Sequence, residues 1–344
     1  MKDHGSNRQV TLIDVAREAG VSRATASLVI RQSPLVSKST RESVEAAIEK
    51  LGYVRNLTAA RLRSVQSRLI GLIVPNLSNP FFAEFLAGVE AVLDQHHLAV
   101  LMANSQDDCG RQTDLMRRMR EHGVDGVIIC PAAETPNDWD EGRSFGSMPA
   151  VQTLRHVTRN LDYVGVDYQQ GVRLAVDHLV KLGHRAINLA VQGAEHSAYR
   201  ERVASYKSAI SSHGLDGKAI FRIPGSIAEI PGCASELMKC YPASTATLCF
   251  NDITAFGLSA GFYDLGVALG RDHSLIGFDD VLNGEARRPK LTSVATHPEL
   301  IGRAAASRMI ARLKEPSLPA NSQILPADLV VRQTCGPAPA TPSR

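Results

Sequence analysis

"VTLIDVAREAGVSRATASLVI", Val10 to Ile30, sets apolar residues at helical spacing on either side of a single Gly20 and then becomes basic and hydroxyl-rich. Thr11 can cap a first helix through Leu12, Ile13, Val15, Ala16 and Ala19, with Asp14 well placed in its first turn. Gly20 permits a sharp turn with Val21 at the corner, and Ser22 caps a second helix whose Ala26 and Val29 face inward. Two short helices joined by a glycine turn read as helix-turn-helix. Ser22, Arg23, Thr25 and Ser27 then share an exposed edge. No core needs them there, so the edge points to a partner.

A third helix follows, capped by Ser37 or Ser39, with Val44, Ala47, Ile48 and Leu51 as its stripe and Gly52 as its stop. Beyond it "NLTAARLRS", Asn56 to Ser64, has little to bury and orders only against a partner. Charge is split unevenly. Residues 1–68 hold 12 Lys and Arg against 6 Asp and Glu, a balance of +6. The other residues hold 26 against 29, within a net charge of +3 for the 344-residue chain. A basic head on a mildly acidic body is the footprint of a polyanion-binding module, although a solvated basic face carries the same charge.

From Arg68 onward, apolar runs of strand length alternate with helical patterns. "LIGLIVPNL", "LAVLMAN", "DGVIICP", "YVGVDY", "AINLAVQG", "TATLCFND" and "SLIGFDD" are the runs, with helices near 80–96, 111–122, 170–182, 199–213 and up to Leu265. Strands buried on both faces between helices mean α/β architecture with doubly wound parallel sheets. About 270 residues exceed one such sheet, so two lobes flanking a cleft are expected.

Catalytic patterns are absent or misplaced. "GLSAG", Gly257 to Gly261, matches a nucleophile-elbow pattern, but its Ser259 falls inside a helix rather than at a strand-to-helix turn. No phosphate-cradling glycine loop or zinc-protease pattern occurs, His96–His97 is a solvated pair, and the six scattered cysteines suit a reducing compartment. No enzyme, metal or cofactor is expected. An N-terminus without an apolar export stretch and a chain without an apolar run of about 18 residues lead to a cytoplasmic, non-membrane expectation. What remains are polar groups beyond the carboxyl ends of parallel strands, where open α/β sheets bind ligands. Phe81, Phe82, Gln170, Arg202, Asn251 and Asp279 are the candidates, able to hydrogen-bond and wall in a hydroxylated small molecule.

The opening stretch, then "VSKSTRESVEAAIEKLGY" and "NLTAARLRS", resemble the head and hinge of the lactose/purine repressor (LacI-type) family. "IGLIVPNLSNPFFAEFLAGVE", "VDGVIICP", "HLVKLGHRAI", "CFNDITAFG", "IGFDD" and "LTSVATHPELIGRAA" resemble its effector domain, in order. The resemblance implies a three-helix DNA-binding head (1–54, motif 12–31), a hinge helix and linker (55–67) and a type 1 periplasmic-binding-protein-like body (68–344). It implies a first lobe of about 68–166 and 297–326 and a second of about 167–296 and 327–336. By position, Thr11, Ser22, Arg23, Ala24, Thr25, Ser27, Leu28, Asn56, Ala59 and Leu62 would meet operator DNA, with Leu62 wedged into the minor groove. The family often has Arg where this chain has Leu28, which can instead meet a thymine methyl, and Asp where it has Gln170. The implied protein is a metabolite-controlled repressor, its effector a sugar or sugar acid ahead of a nucleobase. A tail without a leucine heptad implies a homodimer.

Overall fold

The computed structural model describes residues 10–30, 33–53, 67–136, 148–224 and 226–340. The chain divides into two compact units, 1–67 and 68–344.

The first unit is a three-helix head. Helix α1 (Leu12–Glu18) starts in a capping box: Thr11 Oγ1 accepts from Asp14 N–H, while Asp14 accepts from Thr11 N–H at 2.9 Å. Gly20 adopts φ +67°, a left-handed turn that a side chain would strain. Helix α2 (Arg23–Ile30) follows at once, and Ser22 Oγ accepts from Thr25 N–H at 3.0 Å. Ser37 caps α3 (Lys38–Leu51), and Gly52 closes it in the left-handed conformation. Val15, Ala16, Ala26, Val29, Val44 and Ala47 form the core. Burying each of the three valines stabilises the head by roughly 1.5–3 kcal/mol. One assignment changes: Ile13, read as part of the apolar stripe, is 51% exposed.

The second unit carries two six-stranded sheets. β1 (Leu69–Val74), β2 (Ala99–Asn104), β3 (Gly126–Ile129), β4 (Ala150–Thr153), β5 (Asp162–Val166) and β11 (Ser322–Leu325) make the first, in the order β11-β5-β4-β3-β1-β2 and all parallel. β6 (Ile187–Gln192), β7 (Ile220–Ile223), β8 (Ala246–Cys249), β9 (Ser274–Asp279), β10 (Thr292–Ala295) and β12 (Asp328–Val330) make the second, in the order β12-β10-β9-β8-β6-β7. Here the edge strand β12 runs antiparallel to β10, an exception to the all-parallel expectation. The chain thus enters the second sheet after β5, returns after β10 and crosses again between β11 and β12.

Helices α4 (Phe81–Leu93), α5 (Cys109–Glu121), α6 (Tyr168–Lys181), α7 (Ser197–Ser212), α8 (Ile230–Cys240), α9 (Asp252–Asp264), α10 (Asn283–Ala286) and α11 (Pro298–Lys314) cover the sheets. α11 packs most closely on α4. A Cβ on Gly88 would strike the Glu299 carbonyl, and one on Gly302 the Phe85 carbonyl, so two glycines let these backbones touch. Asp162, its side chain wholly buried at the start of β5, takes Arg308 at 2.6 Å, Arg312 at 3.0 Å and the Asn321 N–H at 2.9 Å. Burial alone would raise its carboxyl, but the two arginines and that N–H hold it below its ordinary value. The pair ties β5 to α11 and the β11 approach.

Candidate functional site

Two surfaces stand out, one in each unit. In the head, Ser22, Arg23, Ala24 and Leu28 are exposed on or just before α2, and Thr25 and Ser27 are half-buried beside them. Ser22 Oγ and Thr25 Oγ1 lie 2.9 Å apart, so the cap and its neighbour share one hydroxyl cluster. Thr11 is exposed at the start of α1. Elsewhere on the head, Lys50 meets Glu18 at 2.6 Å, Arg17 meets Asp14 at 3.6 Å, and Arg41 donates to the Ser33 carbonyl at 2.7 Å. Arg23 forms no ion pair among the described residues, and the first turn of α2 has no acidic side chain. An uncompensated guanidinium at a helix N-terminus is a place where a phosphate or a base edge is welcome. Asn56, Ala59 and Leu62 lie outside the described residues.

In the body, a cavity of about 570 Å³ opens between the lobes at the carboxyl ends of the strands. That volume is ordinary for a small-molecule site. Five of the six expected residues line it: Phe81, Phe82, Arg202, Asn251 and Asp279. Gln170 does not. Its Oε1 accepts the Ala327 N–H at 3.3 Å, binding the start of α6 to the chain just before β12. The structure therefore corrects that assignment: the side chain holds a lobe crossing rather than the cavity wall.

Arg202, 7% exposed on α7, is the most constrained group in the cavity. Its guanidinium carbon sits 4.5, 4.4 and 4.3 Å from the ring centroids of Tyr168, Phe250 and Phe278. Nη1 donates to the Phe250 carbonyl at 2.5 Å. Nη2 lies 3.9 Å from Asp279 Oδ1, an ion pair without a hydrogen bond. Asp279 ends β9 at φ +115°, 6% exposed. Burial raises its carboxyl, Arg202 and a hydrogen bond from the Asn79 side chain lower it, and the balance leaves it at about 7. Asn251 caps α9: its Oδ1 accepts from Thr254 N–H at 2.8 Å and from Thr254 Oγ1 at 2.9 Å, leaving its amide nitrogen for other partners. Phe81 and Phe82 pack edge-to-face at 5.2 Å and are almost fully buried. They offer the cavity an apolar wall rather than two free stacking faces.

The structure adds residues that the sequence reading missed. Arg155 follows β4, and its Nη1 reaches Asp107 Oδ1 at 2.5 Å and the Pro131 carbonyl at 3.1 Å. Tyr168, Gln192 and His196 also line the space, His196 pushed down to about 2 by burial and then by Arg155 and Arg202. Asp107 and Arg155 obey the same strand-end rule as the expected residues. "AVQT", the whole of β4, is short and half polar, so nothing in the sequence marks a strand end before Arg155. Ser259, as expected, lies within α9 and cannot form an elbow.

Comparison with known proteins bears on both units. A family model described as "Bacterial regulatory proteins, lacI family" matches residues 11–56, and a "Periplasmic binding protein-like domain" matches residues 176–335. The chain is 30% identical to the maltose regulon regulatory protein MalI of Escherichia coli K12, over 94% of this chain and 98% of that one. It is 27% identical to the lac repressor, solved as a dimer bound to operator and the anti-inducer ONPF, with a TM-score of 0.84 over 95% of this chain and 99% of that one. It is 26% identical to the transcriptional regulator CelR, solved with cellobiose, with a TM-score of 0.71 over 95% and 100% of the two chains. A helix-turn-helix head, a two-lobe body and a relative matched along nearly its whole length agree: the chain belongs to the LacI family of bacterial DNA-binding transcriptional regulators.

Proposed function

We propose that the protein is a homodimeric repressor whose affinity for operator DNA is set by a small polar metabolite bound between the lobes, a sugar or sugar acid ahead of a nucleobase. The head (1–54) reads the operator, the segment 55–67 transmits the state of the body, and the body (68–344) senses the metabolite. The observation that carries the reading is the meeting of Arg202, Asn251 and Asp279 in one cavity lined from both lobes. Amide, carboxylate and guanidinium groups over an apolar floor suit a ring bearing hydroxyls. The relatives solved with operator and with cellobiose support the same assignment of roles. In the head, Arg23 and the Ser22–Thr25 hydroxyls would contact phosphates or base edges, and Leu28, 37% exposed, a thymine methyl.

A ligand moves this equilibrium only by binding the operator-bound and free conformations with different affinity. Fluorescence anisotropy of a labelled promoter duplex, titrated with candidate sugars and sugar acids, tests the reading. Arg202→Ala and Asp279→Ala are expected to lose the response to ligand while still binding the duplex. If both variants respond as the parent does, the cavity is not the sensor.

A further inference from the structure

Among the described residues, the charged groups lining the cavity are Asp107 and Arg155 from the first lobe and Arg202 and Asp279 from the second. No described Lys or Glu lines it. The first-lobe pair is closed on one side only. Asp107 Oδ1 takes both Arg155 Nη1 and, at 2.9 Å, the Ala133 N–H. Arg155 Nη1 is further occupied by the Pro131 carbonyl. Its Nε and Nη2 have no partner among the described residues, leaving three of the five guanidinium N–H donors unclaimed on a side chain 14% exposed.

The second lobe has the same surplus. Arg202 Nη2 stands at 3.9 Å from a carboxylate it does not hydrogen-bond, and burial raises that carboxyl to about 7. The two guanidiniums also converge. Tyr168, whose ring lies under Arg202, donates its hydroxyl to the carbonyl of Leu154, the residue before Arg155, at 3.1 Å. His196 lines the same space as both, lowered by burial first and then by the two arginines. A desolvated space in which both guanidiniums keep unclaimed donors, and one of them lacks a hydrogen-bonded carboxylate, is short of negative charge, and buried cations demand a partner.

Resting on the reading of this cavity as the sensor, we propose that the effector is a polyhydroxylated anion, a sugar acid or a sugar phosphate. Arg155 selects it by gripping its acidic group from the first lobe while Arg202 holds it from the second. An anion bridging guanidiniums on opposite lobes also favours one lobe arrangement over others, through charge-assisted hydrogen bonds roughly twice as strong as those a neutral hydroxyl accepts.

Isothermal calorimetry on the full-length protein with matched sets tests this: glucose, glucuronate and glucose 6-phosphate, then galactose, galacturonate and galactose 6-phosphate. An acidic member is expected to bind at least about tenfold tighter than its neutral parent. Arg155→Lys should keep part of that ratio, and the charge-balanced double variant Arg155→Gln with Asp107→Asn should abolish it, with circular dichroism reporting an intact fold. The carboxylate and phosphate arms say which acid the site takes. No anion binding more tightly than its neutral parent, or a ratio that survives the double variant, overturns the proposal. A neutral sugar that binds and shifts operator affinity in the anisotropy assay would do so while leaving the sensor reading intact; ligands that bind without moving operator affinity would sink that reading instead.

Discussion

Asp279→Asn isolates the energetic consequence of placing a carboxylate at the carboxyl end of β9. Asn is nearly isosteric, tolerates a positive φ, and retains an oxygen toward Arg202, so the substitution removes a charge without opening a void. In the folded protein the Asp279 carboxyl stands at about 7 against an ordinary 3.8. Between those values the native state holds a proton that the unfolded chain has released, so stability falls as pH rises through that window. At 1.36 kcal/mol per unit the whole window amounts to roughly 4 kcal/mol, and the portion between pH 5 and pH 7 to roughly 3 kcal/mol. Asp252, buried close by, is raised by burial in both proteins, and the further rise that the Asp279 charge causes is lost in the variant, which adds to the difference in the same direction. Guanidinium unfolding at pH 5 and pH 8 reads the difference. The parent is expected to lose roughly 3 kcal/mol more than the variant between those pH values, and the variant to be the more stable of the two at pH 8. Equal losses would refute the reasoning, because the carboxyl would then be ionised throughout, compensated by Arg202 despite the missing hydrogen bond.

Two further outcomes follow from the geometry. Arg23→Ala should weaken operator binding by roughly 1–3 kcal/mol if the side chain reads a base, and should instead flatten the salt dependence by about one counterion if it meets a phosphate; anisotropy across a salt series separates the two, and no change in either removes Arg23 from the interface. Asp162→Ala leaves Arg308 and Arg312 without their shared carboxylate at the start of β5, so chemical denaturation should report a loss of about 3–5 kcal/mol, whereas a loss under 1 kcal/mol would mean the arginines are served by solvent and by the Pro319 carbonyl instead.

The sequence by itself determined the elements whose cause is local. Thr11, Gly20, Ser22, Ser37 and Gly52 specify helix ends through their own side-chain oxygens or their own freedom at positive φ, and each acts within three residues of its position. "LIGLIV" reads as a buried strand for the same reason, since six apolar residues in a row need shelter on both faces. Arg202, Asn251 and Asp279 were legible because a single rule, polar groups at the carboxyl ends of parallel strands, finds them without coordinates. Only tertiary structure decided what those groups do to one another. Gln170 obeys the same rule yet turns to Ala327, more than 150 positions along the chain, because the crossing before β12 passes its helix. Arg155 and Asp107, 48 positions apart, meet where β2 and β4 end on the same rim of one sheet, and no pattern in the chain foretells that pairing. Ile13 shows the converse: its spacing is that of a core residue, but the head has too few layers to cover it. The charge state of Asp279 belongs to the same class, because burial, Arg202 and Asn79 reach it from three separate segments and none is a property of the residues beside it in sequence.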